Sequence, residues 1–187
     1  MIRSFSQQVV RVVVFATLTV SVAQAQQQGA GSDYSGPGGG GSGSSAGVAP
    51  MGVPSGSLSG PLSSAGAAGL SGIVETFGNP GAGGLSISNP AGGTVTIAPA
   101  TARGISAVLS GGGAPAAQSL QNVLVGESMP AGPAAALVNA MASLGSNPSR
   151  GRLAAAIEAY NAAIDAGPSS PSPAMLAIRF SLASASR

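Results

Sequence analysis

The chain has 187 residues, without cysteine, histidine or tryptophan, and its 7 cationic residues are all arginine. That inventory excludes disulfide staples, an imidazole or thiolate catalyst, a lysine Schiff base and the soft ligands of a zinc site. Against 5 acidic residues the formal net charge is only +2, and two arginines near the N-terminus account for it.

Those two, Arg3 and Arg11, stand in "MIRSFSQQVVR" with no acid beside them, ahead of "VVVFATLTVSVA" and an "AQA" closing at Ala25. A basic start, a short apolar run and a small-residue end read as a secretory signal peptide over residues 1–25, cleaved to leave a chain that begins at Gln26. The apolar run falls short of the roughly 20 residues of a membrane span. No transmembrane segment is therefore expected after cleavage, and the expected location is secreted or periplasmic. Losing Arg3 and Arg11 balances the side-chain charges, so no basic patch remains to neutralise phosphates and nucleic-acid binding is not expected. A neutral, charge-poor surface favours association, which points to a protein partner or to self-association.

Residues 26–63 form a low-complexity stretch of Gly, Ser and Pro with little bulk. They cannot bury enough apolar surface to offset chain entropy, so a disordered linker is expected. From Ser64 the pattern changes. Leu70, Ile73, Val74 and Phe77 follow the spacing of one helical face, with Gly78 and Pro80 as the stop. In "GGLSISNPAGGTVTIAP" the apolar Leu85, Ile87, Val95 and Ile97 alternate with serines and threonines about a turn, which predicts a β-hairpin over 85–97. A lone hairpin is marginal in water, so this apolar face is expected to pack on helices.

Helical spacing then takes over. Ala102, Ile105 and Leu109 form one stripe, and Ala117, Leu120 and Leu124 another. Leu137, Met141 and Leu144 form a third, with Pro133 in its first turn and Gly145 as its expected C-cap. Leu153, Ile157, Tyr160 and Ile164 line the next helix, opened by Asn147 or Ser149 and closed by Gly167-Pro168, with Glu158, Asn161 and Asp165 on another face. Arg150 and Arg152 at its positive end and Asp165 at its negative end oppose the macrodipole, so packing must hold it. The last helix opens with Ser172 as N-cap and Pro173 at N1, and carries Met175, Ile178 and Leu182. Few aromatics are available, so the core must come mainly from Ala, Val, Leu and Ile.

Within this run Ala156, Tyr160, Ala163 and Pro168 resemble the second helix of a tetratricopeptide repeat, which would imply a peptide groove on a helical solenoid. The stretch before it lacks the first helix's aromatic, and no second copy follows. Such a solenoid needs about three.

Candidates for chemistry are sparse. "GSSAG" at 43–47 fits the nucleophile-elbow pattern and "GPGGGG" at 36–41 the dinucleotide pattern, but neither has the strand-to-helix context that gives those motifs meaning. Glu158 and Asp165 stand roughly 10 Å apart along one helix, a solvated face rather than an acid–base pair. A hydrolase would need a buried, convergent pair such as Glu158 with Glu75 or Glu127. Arg179, flanked by Ile178 and Phe180, reads as a side chain whose stem covers apolar surface, or else as an anion contact. No catalytic, cofactor-binding or metal-ligating residue is assigned. The expectation is a mainly α domain at 64–187, four to six short helices with one hairpin behind a Gly/Ser-rich tail. Its expected role is a non-enzymatic structural or interaction-mediating protein of the cell envelope or extracellular space. The alternative is a small helical module that binds a peptide or an apolar ligand.

Overall fold

A computed structural model describes residues 50–89 and 92–187 of the chain. The expected signal peptide, the two glycine motifs and residues 26–49 of the expected linker lie outside the described residues. Among those described, six helices and one two-stranded hairpin follow one another in the order α1, β1, β2, α2, α3, α4, α5, α6, the mainly helical architecture that the apolar spacing predicts.

Helix α1 runs over Ser64–Gly78, and its cap is Ser63, whose hydroxyl accepts from the Gly66 N–H at 2.9 Å. Leu70, Ile73 and Phe77 are buried while Val74 is half-buried, so the predicted stripe is the face that enters the core. Two glycines inside α1 lie against the end of α6 (Pro173–Ala185). A Cβ on Gly69 would stand 2.9 Å from the Ser184 carbonyl carbon, and one on Gly66 would strike the Ala185 carbonyl oxygen. Each glycine costs about 1 kcal/mol of helix propensity. Here that cost permits a backbone approach that no larger residue allows.

Strands β1 (Leu85–Ser88) and β2 (Thr94–Ile97) pair antiparallel, Leu85 opposite Ile97 and Ile87 opposite Val95. Gly92 and Gly93 take positive φ of 102° and 81° at the turn, a conformation that side-chain-bearing residues adopt at a cost. Ile87 and Ile97 are buried, Leu85 and Val95 pack half-buried on the same core, and β2 rests on α6. The hairpin is thus supported by helices, as its marginal size requires.

Helix α2 (Pro99–Leu109) starts with Pro99 in its first turn and buries Ala102, Ile105 and Leu109. Its Ser106 hydroxyl donates to the Val74 carbonyl at 2.7 Å and joins α2 to α1. Helix α3 (Gly113–Gly126) buries Leu120 and Leu124, with Ala117 half-buried. Helix α4 (Ala131–Ser146) and α5 (Arg150–Ala166) form the most extensive helix pair. The cap of α4 is Asn147 rather than Gly145. Gly145 lies inside the last turn because a Cβ there would stand 2.7 Å from the Val108 carbonyl oxygen, so it serves the contact with α2 and not the helix end.

Ser149 caps α5 by accepting from the Arg152 N–H at 3.3 Å, and Ser172 caps α6 by accepting from Met175 at the same distance. Buried alanines at 102, 134, 154, 156, 163, 174, 177 and 185 let the helices approach closely. Leu, Ile, Val and Met fill the space between them, with Phe77 and Tyr160 as fully buried aromatics. Burying one such large aliphatic side chain stabilises by roughly 1.5–3 kcal/mol.

Residues 50–63 contain no helix or named strand. They nevertheless run along α5, and Leu62 is buried. This strap shapes the site described next.

Candidate functional site

Six of the nine charged side chains on the described residues fall into two groups. One group sustains the fold. The Glu127 carboxylate accepts from the Ala174 N–H at 3.3 Å, which places an anion at the positive end of α6. The Arg152 guanidinium donates to the Ser143 carbonyl at 2.8 Å and so caps the negative end of α4. Arg152 opposes the dipole of its own helix but suits that of its neighbour. The other group faces water: Glu75, Arg103, Glu158 and Asp165 are exposed. Glu158 therefore forms no buried carboxylate pair with Glu75 or Glu127. Among the described residues there is no cluster of three or more metal-holding side chains.

Tyr160 is fully buried, and its hydroxyl has no partner of standard hydrogen-bond geometry. Burial disfavours the phenolate and raises the Tyr160 pKa above its ordinary 10.0, while the charge of Arg179 and its looser hydrogen-bonding contact pull in the opposite direction. Arg179 is half-buried, and its head acts on the buried phenol rather than standing wholly in water. Phe180 beside it remains 39% exposed and stacks on Phe77, with ring centroids 6.4 Å apart and planes 5° from parallel. Ala156, Tyr160 and Ala163, the residues of the repeat-like pattern, all point into the core. They pack α5 against its neighbours.

The face of α5 beside the core holds the strap. The Asn161 side-chain amide accepts from the Met51 N–H at 2.8 Å and donates to the Met51 carbonyl at 2.9 Å, which satisfies both backbone groups of one extended residue. At the other end of α5 the Arg150 N–H donates to the Gly60 carbonyl at 3.1 Å, and Pro61 bridges antiparallel to Ser149. The strap thus travels antiparallel to α5, fixed at both ends. Between these points Leu58 is 47% exposed, and its carbonyl oxygen lies 3.2 Å from where a Cβ on Gly151 would stand. The Ser63 hydroxyl then donates to the main-chain oxygen of Arg187, which joins the strap's end to the end of α6.

A cavity of about 260 Å³ opens where the strap, the start of α5 and the end of α6 meet. Arg150 and Arg187 line it, and Leu62 and Leu153 are among its apolar lining residues. None of its lining residues is acidic.

In the sequence Asn161 reads as part of a polar helix face and Arg150 as a charge opposing the dipole of its helix, and no local signal marks Arg187. Asn161 pairs with a residue 110 positions away, and no local pattern marks such a partner. None of the protein-family models, curated proteins or solved structures compared with the chain matches it.

Proposed function

We propose that the chain is an exported, non-enzymatic protein that works by association, as a structural or interaction-mediating component of the cell envelope or extracellular space. The observation that carries this reading is how the charged groups are disposed. Glu127, Arg152 and Arg179 are engaged in holding helices together, and the exposed acids stand singly on a surface with few charges. Such a surface resists association weakly. The signal-type segment at 1–25 supplies the route out of the cytoplasm.

The test is expression of the full chain with its own N-terminus, followed by cell fractionation, intact-mass measurement and light scattering. A chain beginning at Gln26 outside the cytoplasm, present as an oligomer or retained on the cell surface, is the expected result. A cytoplasmic monomer beginning at Met1 would overturn the reading.

A second reading, a helical module that grips an extended peptide, draws on one specific observation. Asn161 holds the backbone of Met51 through both its N–H and its C=O, a mode of holding that ignores side-chain identity. On this reading an outside peptide would displace residues 50–63. Protection of the strap from proteolysis should then fall when the peptide binds.

A further inference from the structure

The cavity beside the strap gathers two of the five arginines outside the expected signal peptide. We propose that it is a binding site for a small oxyanion, a phosphate or carboxylate group carried on a hydroxylated body about the size of a single sugar. This inference is independent of where the protein resides.

Charge argues first. Arg150 and Arg187 both line the cavity, and none of its lining side chains is acidic. The arginine heads that stabilise the fold, Arg152 and Arg179, lie elsewhere. An anion entering a cavity lined by two cationic residues and no acidic side chain is stabilised there. Guanidinium presents a planar fork of donors that matches carboxylate and phosphate oxygens and is always protonated. Arg150 is also the first residue of α5, so the positive end of that helix dipole adds to the same field.

The remaining wall supplies neutral polar groups. Ser55, Ser57, Ser63 and Ser186 line the cavity, and a hydroxyl can donate to an oxyanion or accept from a ligand hydroxyl. Ser63 already uses its hydrogen on the main-chain oxygen of Arg187 and Ser186 uses its own on the Ala183 carbonyl, which leaves Ser55 and Ser57. A volume of about 260 Å³ lies just under the usual range for drug-sized ligands, so the ligand is small. The strap forms one side, held at Met51 by Asn161 and at Gly60 by the Arg150 N–H, so Ser55 and Ser57 line the cavity without a long loop to order on binding.

The experiment titrates the purified full chain with inorganic phosphate, galacturonate and neutral galactose, each at low and high sodium chloride, and follows backbone-amide NMR shifts. At millimolar concentration and low salt, phosphate, galacturonate or both should move the amides of residues 55–58, 150 and 186, and high salt should weaken the effect. A response to phosphate alone names the phosphate class, and a stronger response to galacturonate names the acidic-sugar class. The pair Arg150→Gln with Arg187→Gln should lower affinity about tenfold or more, whereas Arg103→Gln on α2 should leave it unchanged. Circular dichroism checks that each variant is folded, and Arg150→Lys with Arg187→Lys should keep part of the binding because the charge is retained. The proposal fails if neither anion shifts these amides, if galactose shifts them equally, or if the double glutamine variant binds as the wild type does.

Discussion

Residues 50–63 and α1 are consecutive stretches, both rich in glycine, but the first carries Pro50, Pro54 and Pro61 where α1 carries Ala65, Ala67 and Ala68; one is an extended strap and the other a helix. In α1, Leu70, Ile73 and Phe77 recur at helical spacing and are buried, so helix formation places three large side chains in the core together. In the strap, Met51, Leu58 and Leu62 also recur at helical intervals, but Pro54 and Pro61 interrupt the run and only Leu62 is buried. Its backbone is satisfied instead from outside, by Asn161 and Arg150. Glycine content therefore does not decide the outcome here. Proline does: three prolines interrupt the strap and none interrupts α1, where the apolar stripe is buried as one face and glycines become contact surface where a neighbour's backbone comes close.

The largest break in this contrast is Phe77→Ala. Phe77 is fully buried and stacked on Phe180, and the truncation should cost about 3–5 kcal/mol, read as a lower denaturant midpoint. Next comes a pair of identical changes within α1 with opposite expected signs. Gly69→Ala gains helix propensity but forces a Cβ to within 2.9 Å of Ser184 backbone, and should destabilise by about 1–3 kcal/mol. Gly72→Ala meets nothing within 4 Å and should stabilise by about 0.5–1 kcal/mol. Equal effects at both sites would show that the α1–α6 contact is not as close as described.

A smaller effect is expected at the strap. Asn161→Ala removes both bonds to Met51, and should lower global stability by no more than about 1 kcal/mol because the freed backbone can turn to water. The sharper readout is limited proteolysis. Cleavage within residues 50–57 should speed up while helical circular dichroism stays constant.

The smallest effect at neutral pH belongs to Tyr160→Phe, which removes a buried hydroxyl lacking a well-formed hydrogen bond and should change stability by less than about 1 kcal/mol. Its signature is alkaline. With the folded-state pKa raised above the ordinary 10.0, the phenol's contribution is fully present below 10.0, where both states are protonated. As pH rises past 10.0 the unfolded chain loses its proton first, and the contribution is lost as pH approaches and passes the raised folded value. Denaturant midpoints of the wild type should therefore fall more steeply above pH 10.0 than those of the phenylalanine variant.

The helices and the hairpin were legible in the sequence because the signals are local: apolar residues at helical or alternating spacing, Ser149 and Ser172 ahead of their helices, glycines at the turn. What escaped was made by distant partners. Gly145 looked like a helix stop because its contact with Val108 cannot be read from neighbours. Arg152 looked misplaced on α5 because the carbonyl it caps belongs to α4, and Glu127 gave no sign that it serves α6. The cavity joins Arg150 and Arg187 through a strap whose sequence gave no reason to leave the linker. In each case the missing information was which surfaces meet, and no periodicity within a single element contains that.

The central claim is that two glycine-rich neighbours differ because one has a buried stripe and the other is interrupted by prolines and tied at its ends. Hydrogen exchange of backbone amides in the full chain tests it most directly. Amides of residues 70–77 should exchange only through global unfolding, whereas within the strap the Met51 amide should be slowed and those of residues 52–59 should exchange fast. Uniformly fast exchange across residues 50–78, or protection of residues 52–59 equal to that of α1, would contradict the account.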